Sequence, residues 1–136
     1  ILVGGGKVGS ALCRSLVAEN HDVVLIEQDE AVLNHLTKRY DIIGILGNGA
    51  NFKVLEQASI ESCDIFISMT EHDEVNMVSA VLAKKMGAKE TVVAILSILI
   101  LSLRKKTFLA SLWLSTLNNW LHVRLLISLI SRTLYR

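Results

Sequence analysis

The chain of 136 residues has the length of a single domain, and its 51% of apolar residues exclude a disordered or collagen-like protein. The net charge of +1 favours no particular class of partner, and no nucleic acid partner is expected. This charge is the sum of two unlike parts. Residues 1–90 carry 8 Lys or Arg and 13 Asp or Glu, a net charge of −5, whereas residues 91–136 carry 6 basic residues and no acidic ones.

Apolar runs and segments of helical periodicity alternate along the first 94 residues, joined by short links. This alternation is typical of a parallel sheet wound by right-handed crossovers, and it predicts an α/β fold. The predicted strands are 1–3, 23–26, 42–46, 64–69 and 91–94. The predicted helices are 7–19, a short segment after Asp29, 51–58 and a segment that ends at Gly87.

The starts of two predicted helices carry capping signals. Asp29 is an expected N-cap, because its carboxylate can accept hydrogen bonds from the first free N–H groups of the helix. Thr70 and Asp73 have the spacing of a capping box, in which each side chain accepts the backbone N–H of the other residue. The helix that follows them carries an apolar face, made up of Val75, Val78, Leu82 and Met86.

A glycine-rich turn joins the first strand to the first helix. Gly4, Gly6 and Gly9 have the spacing G-x-G-x-x-G, which allows a tight turn, close approach of a pyrophosphate, and close packing of helix on strand, in that order. Phosphate would bind backbone N–H groups at the start of the helix, where Lys7 and Val8 lie. The Lys7 side chain either reaches this phosphate or points to solvent. The alternative interpretation is a tight turn with no ligand.

An acidic residue ends the second predicted strand. Glu27 follows Gly4 by 23 positions, about where a dinucleotide-binding fold places the carboxylate that holds the adenosine ribose. A carboxylate at this position repels a 2′-phosphate, so the sequence favours NAD or an adenine nucleotide over NADP. The alternative is a solvated carboxylate at the end of a strand.

Two further turns follow strands that are expected to end at the same edge of the sheet. Asn48, Gly49 and Ala50 follow the third strand and are candidates for contacts with the adenine. Thr70 follows the fourth strand beside the expected switch point and is a candidate ligand contact, although its capping role alone would explain it.

The sequence indicates no catalytic or metal site. Cys13 and Cys63 lie in apolar segments, lack the spacing of zinc ligands, and are interpreted as small buried hydrophobes. The 4 histidines are scattered, and none forms a recognisable motif with a nucleophile or an acid. We therefore expect a protein that is not an enzyme, the alternative being a fragment of an NAD-dependent oxidoreductase.

Four segments occur in the order found in one known family. They are 3–9, 44–50, 64–76 and 82–88. On these segments, residues 1–94 resemble the N-terminal nucleotide-binding domain (TrkA-N, also called RCK or KTN) of the regulatory subunits of bacterial Trk and Ktr potassium uptake. The most specific segment is the fourth strand with Thr70, Asp73, Glu74 and Asn76 after it, because ordinary dehydrogenases lack this pattern.

The resemblance implies a Rossmann-like, doubly wound parallel sheet that is incomplete at its C-terminal edge, because the family continues beyond residue 94. It also implies a nucleotide, NAD(H) or ATP/ADP, that regulates potassium transport. The implied partner is a potassium-translocating membrane subunit, with homo-oligomers docking on its cytoplasmic face. The protein would then be cytoplasmic and peripheral on the inner face of the plasma membrane.

Residues 95–136 form an apolar and basic tail that departs from the family pattern. The uncharged run that leads into this tail, residues 91–103, has 13 residues, whereas a membrane span needs roughly 20. An amphipathic helix on a membrane surface remains an alternative. Shifting the reading frame restores three family segments in order, so we hypothesise that the tail is frameshifted. Resequencing across the Ala94 codon tests this, and an intact frame would reject it. The short first strand without Met also leads us to expect a fragment.

Overall fold

Strands and helices alternate along residues 1–95, the part of the chain that the computed structural model describes. The predictions made for the tail concern residues 96–136 and lie outside this part. The strands are β1 (Leu2–Val3), β2 (Val24–Glu27), β3 (Ile43–Leu46), β4 (Ile65–Ser68) and β5 (Glu90–Val93). The helices are α1 (Lys7–Ala18), α2 (Glu30–Arg39), α3 (Phe52–Gln57) and α4 (Asp73–Met86), with a 3-10 turn at Ile60–Ser62.

The five strands form one sheet in the order β3-β2-β1-β4-β5, and every pair of neighbours is parallel. This order confirms the predicted Rossmann-like, doubly wound sheet. Val3 pairs with Ile26 on one side and with Ser68 on the other, so the carboxyl ends of the three central strands are level. The loops after these strands therefore meet at one edge of the sheet. The predicted incompleteness beyond β5 concerns residues outside the described part.

The core lies on both faces of the central strands. Ile26 and Phe66 are fully buried, as are Leu55 and Ile60, which pack against the sheet from the segment between β3 and β4. Burial on both faces explains why β2 and β4 appear in the sequence as nearly continuous apolar runs. β3 lies at the edge and leaves Ile43 65% exposed.

Two helices start with the side-chain caps that their sequences favour. The Asp29 carboxylate accepts the backbone N–H groups of Ala31 and Val32 at 2.8 and 3.1 Å, which confirms its predicted role. Asn51 caps α3 in the same way, because its Oδ1 accepts the Lys53 N–H at 2.9 Å. At the other end of α4, Gly87 has a φ of +115°, the left-handed conformation that ends many helices.

Helix α4 differs from its prediction in both its start and its buried face. The helix begins at Asp73, and the side chain of its N-cap residue, His72, makes no capping hydrogen bond. The Thr70 N–H, which the capping box assigned to Asp73, donates to Asn76 Oδ1 instead, so the predicted box is wrong. The fully buried face is small or polar and consists of Asn76, Ser79, Ala80 and Ala83. Leu82 and Met86 of the predicted apolar face pack against the core, whereas Val78 of the same face is 49% exposed.

Candidate functional site

The site is positioned by the point where the direction of the chain reverses in the sheet. β1 and β4 are neighbours, but the chain leads from β1 to β2 on one side and from β4 to β5 on the other. In such sheets, ligands bind outside the carboxyl ends of the strands at this switch point. The loops after β1 and β4 touch there, because a Cβ atom added at Gly4 would lie 2.8 Å from the Met69 carbonyl oxygen and 3.1 Å from the Thr70 nitrogen.

The three motif glycines have three different environments. Gly4 has a φ of +100°, a conformation that other residues rarely adopt, so it allows the sharp turn off β1. A Cβ atom at Gly9 would lie 1.9 Å from the Gly4 carbonyl oxygen, so only glycine fits where α1 crosses the turn. A Cβ atom at Gly6 would meet nothing within 4 Å. Of the three, Gly6 is therefore the glycine that borders open space.

Helix α1 begins without a side-chain cap. Gly6 occupies the position that Asp29 and Asn51 occupy in α2 and α3. The first N–H groups of a helix have no partner within it, and the helix dipole favours negative charge there. The backbone N–H groups of Lys7 and Val8 are thus available to a phosphate, and the exposed Lys7 side chain lies at the same end of the helix.

Glu27 is held over the glycine turn by backbone donors. Its Oε2 accepts the Gly5 N–H at 2.5 Å, and its Oε1 accepts those of Gln28 and Asp29 at 2.6 and 2.9 Å. Each carboxylate oxygen can accept about two hydrogen bonds, so Oε2 keeps capacity for one more donor. A ribose hydroxyl is such a donor. These contacts explain how a half-buried acid at the end of β2 is oriented toward the turn.

The turn after β3 is shaped by its own hydrogen bonds and by packing on β1. Asn48 Oδ1 accepts the Ala50 N–H at 2.8 Å, which closes an Asx turn. A Cβ atom at Gly49 would lie 2.4 Å from Val3 Cγ1, so this glycine is required by packing. Contacts of these three residues with an adenine therefore remain a prediction, and for Gly49 they would involve the main chain.

Thr70 is fixed by a buried amide on α4. Asn76 is fully buried, and its Oδ1 accepts the Thr70 N–H, the Thr70 hydroxyl and the Ser68 hydroxyl at 2.8, 2.8 and 3.0 Å. Its Nδ2 donates to the Thr70 carbonyl at 2.9 Å and to the Ala94 carbonyl, just after β5, at 2.8 Å. Asn76 thus joins β4, the loop after it, and the end of β5. A ligand contact of Thr70 stays a prediction.

Three polar residues of this cluster were not predicted as site residues. The hydroxyl oxygens of Ser68 and Ser79 lie 2.9 Å apart, and the Ser79 hydroxyl donates to the Asn76 carbonyl. In the sequence, Asn76 stands out only as part of the family pattern. The available signal was the spacing of Asn76 and Ser79, three residues apart and so on one side of a helix.

We expect Asn76→Asp to destabilise the protein by about 3 kcal/mol at pH 7. The carboxylate keeps the accepting oxygen but replaces the donor, so two partly buried carbonyl groups would face a negative charge. Burial raises the pKa of such an acid, so as the pH falls toward the ordinary Asp pKa of about 3.9 the acid takes up a proton, can donate again, and the deficit should shrink. Urea unfolding at pH 7 and pH 4 measures this. Asn34→Asp, the same change at an exposed position of α2, is the control, and equal losses in both variants would contradict the role of Asn76.

A separate cavity of about 630 Å³ opens between α1 and α2. Of the predicted nucleotide-site residues it shares only Gly6 and Lys7, and it also borders Gly5 of the same turn. Glu27, Thr70 and the turn after β3 do not line it. The cavity is therefore a neighbour of the crevice at the switch point and not part of it.

The cysteines are both free and buried, in agreement with their interpretation as small hydrophobes. Burial raises the pKa of the Cys13 thiol, which favours the protonated, unreactive form at neutral pH. Within residues 1–95, no group of three His, Cys, Asp or Glu side chains is placed to hold a metal ion. None of the helices in this described part is long and apolar enough to cross a membrane.

A parallel sheet of this strand order, with a glycine turn after β1 and an acid at the end of β2, defines the dinucleotide-binding class of α/β proteins. The family model of the TrkA-N domain matches residues 1–98. The chain belongs to the TrkA-N domain family, which confirms the resemblance seen in the sequence.

A relative agrees with this assignment, and two solved structures share the fold. The Trk system potassium uptake protein TrkA homolog of Archaeoglobus fulgidus is 43% identical over 95 residues, which cover 70% of this chain and 21% of the relative. The chain thus spans about a fifth of that relative's length. The TrkA-N domain of Escherichia coli inner membrane protein ybaL has a TM-score of 0.51 at 22% identity, covering 78% of this chain and 94% of that domain.

The second structure is the NAD(P)-binding domain of an exopolyphosphatase-related protein from Archaeoglobus fulgidus. Its TM-score is 0.55 at 13% identity, covering 76% of this chain and 94% of that chain. At these identities both structures support the fold alone, and the family assignment rests on the sequence matches.

Proposed function

We propose that the chain is the nucleotide-binding part of a regulatory subunit that controls potassium ion transport through a membrane channel or transporter. The observation that carries this proposal is the open position of Gly6 at an uncapped helix start, with Glu27 fixed beside it. Membership of the TrkA-N family supports nucleotide binding. The name of the Archaeoglobus relative, a potassium uptake protein, supports the link to transport.

The proposed ligand is NAD(H) or ATP/ADP, which share an adenosine diphosphate. Its diphosphate accepts hydrogen bonds from the N–H groups at the start of α1, beside Gly6. The ribose donates to Glu27 Oε2, the carboxylate oxygen with remaining capacity. The adenine lies toward the turn of Asn48, Gly49 and Ala50. A 2′-phosphate would be brought next to the Glu27 carboxylate, which disfavours NADP.

Binding acts as a regulatory input in this proposal. A nucleotide shifts the population of conformations, and the shift is passed to a potassium-translocating membrane subunit. The chain acts as a homo-oligomer in the cytoplasm, peripheral on the inner face of the plasma membrane. The net charge of −5 over residues 1–90 gives no support to a nucleic acid partner.

No chemical step is assigned to the nucleotide. In the described residues, two polar side chains at the crevice are already engaged, because Glu27 holds backbone N–H groups and Thr70 is bound to Asn76. A bound nucleotide therefore acts as a signal. NADH incubated with the full chain and candidate substrates should keep its absorbance at 340 nm, and steady substrate-dependent oxidation would favour an oxidoreductase.

We expect NADH to bind the full chain at least about tenfold more tightly than NADPH, because a 2′-phosphate would approach the Glu27 carboxylate. Glu27→Gln removes the negative charge and should narrow the difference in affinity between NADH and NADPH. Isothermal titration calorimetry with both cofactors measures it.

The matched control for this titration is Glu30→Gln. Glu30 is an exposed acid in the first turn of α2, so its substitution changes the net charge equally without touching the turn. The control should leave the preference for NADH unchanged. Tighter binding of NADPH by the unmodified chain would overturn the role proposed for Glu27.

A further inference from the structure

The cavity between α1 and α2 is lined by cationic and neutral residues only. We call it the interhelical groove, with Lys7, Ser10 and Arg14 on the α1 side and His35 and Arg39 on the α2 side. No Asp or Glu lines it. This composition stands out because residues 1–90 carry an excess of five negative charges.

Within residues 1–95, the three permanent cations of the groove have no anionic partner. The ion pairs found within residues 1–95 involve neither Lys7 nor Arg14 nor Arg39, and no carboxylate in that range lies within 4.0 Å of their side-chain nitrogens. Residues 96–136 contain no Asp or Glu that could supply one. Arg39 has one ring contact, 5.7 Å from the Tyr40 centroid. Like charges that share a cleft repel one another, and a bound anion would relieve that repulsion.

The spacing of the cations points to an extended anion. Lys7 and Arg14 are seven residues apart, about two helical turns or roughly 10 Å along the same side of α1. On the opposite wall, His35 and Arg39 are one turn apart. Small side chains between them, Ser10 and Ala11, leave the space open. A single phosphate ion would contact one end of the groove, whereas a linear chain of phosphates would contact its whole length.

We propose that the interhelical groove binds a linear oligophosphate, at a site that adjoins the nucleotide crevice at Gly6 and Lys7. The guanidinium groups of Arg14 and Arg39 present forked donors that match phosphate oxygens. Tyr40, which also lines the groove, has a hydroxyl that can donate as well, whereas the Ser10 hydroxyl already donates to the Lys7 carbonyl. The start of α1, at Gly6 and Lys7, closes the end of the groove that borders the nucleotide crevice. An acidic peptide is the competing occupant, and the test below separates the two.

The test is calorimetric titration of sodium tripolyphosphate into the full chain at low ionic strength, with the Arg14→Gln/Arg39→Gln variant beside it. The double variant should bind tripolyphosphate at least about tenfold more weakly, because it loses two charge-assisted contacts. The matched control is Lys53→Gln/Lys85→Gln, which removes the same charge from exposed positions of α3 and α4, outside the groove. The affinity of the control variant for tripolyphosphate should fall by less than about twofold.

Two further measurements make the result specific. NADH affinity should stay within about twofold in both double variants, so failure of the oligophosphate proposal is distinguishable from failure of the nucleotide assignment. Without phosphate, the thermal midpoint of the Arg14→Gln/Arg39→Gln variant should be no lower than that of the unmodified chain, because mutual repulsion has been removed. If the two arginines only stabilise the fold, their substitution should lower the thermal midpoint.

Three outcomes would overturn the proposal. The first is absence of tripolyphosphate binding to the unmodified chain. The second is equal weakening of binding in the two double variants, which would indicate general electrostatics. The third is tighter binding of a poly-glutamate peptide than of tripolyphosphate, which would indicate an acidic protein segment as the occupant.

Discussion

Gly6→Val is expected to abolish NADH binding while the protein remains folded. The valine side chain would enter the open space beside the first turn of α1, where the proposed diphosphate lies. The backbone of Gly6 has a φ of −62° and a ψ of −168°, which valine can adopt. Calorimetric titration should show NADH affinity reduced by at least about 100-fold. Urea unfolding should show a stability loss of no more than about 1 kcal/mol.

The control for Gly6→Val is Ala18→Val, which adds the same side chain at an exposed position near the end of α1. That variant should bind NADH normally. Undiminished NADH binding by Gly6→Val would contradict the placement of the diphosphate. Loss of binding together with loss of the fold would contradict the open environment of Gly6.

Gly9→Ala is expected to have the largest effect on stability. The added methyl group would lie 1.9 Å from the Gly4 carbonyl oxygen, far inside contact distance, so α1 and the turn must separate. We expect the free energy of unfolding to fall by about 4 kcal/mol or more, in the range reached by few single substitutions. For a domain of this size, the thermal midpoint should then drop by roughly 15 °C or more.

Gly6→Ala provides the matched control, since it makes the same chemical change three residues earlier, where a Cβ atom meets nothing within 4 Å. Circular dichroism melts of both variants compare them directly. The thermal midpoint of Gly9→Ala should lie far below that of Gly6→Ala. Equal melting of Gly9→Ala and the unmodified chain would show that α1 does not cross the turn as closely as described.

The sheet and the starts of α1, α2 and α3 could be predicted because they depend on local signals. Apolar runs interrupted by Gly and Asn mark the strands, and β2 and β4 are apolar over most of their length since both faces are covered. Asp29 caps α2 through its own neighbours along the chain. Signals of this kind require no knowledge of distant residues.

The buried face of α4 could not be predicted because its partners are distant in sequence. Asn76 is buried by bonds to the Ser68 hydroxyl and the Ala94 carbonyl, which β4 and β5 bring to opposite sides of its amide. An apolar pattern places valines inside and amides outside by default. Here a fully satisfied amide takes the inner position, and Val78 is left partly exposed.

The sequence predicted the candidate site residues and a role for each motif glycine, but not the contacts that distinguish a structural role from a ligand contact. The spacing of Gly4, Gly6 and Gly9 is the same whether a glycine avoids a clash or borders a ligand, and only the surrounding atoms distinguish these cases. The hydrogen bond between the Gly5 N–H and the Glu27 carboxylate could likewise not be predicted from the sequence. The interhelical groove depends on how α1 and α2 lie side by side, which no local pattern reports.

The most direct test of the central claim is a crystal structure of the full chain with NADH. We expect the diphosphate oxygens within hydrogen-bond distance of the backbone N–H groups at the start of α1, beside Gly6. The adenosine ribose should contact the Glu27 carboxylate. A diphosphate bound elsewhere, whether in the interhelical groove or away from the carboxyl end of β1, would contradict the account.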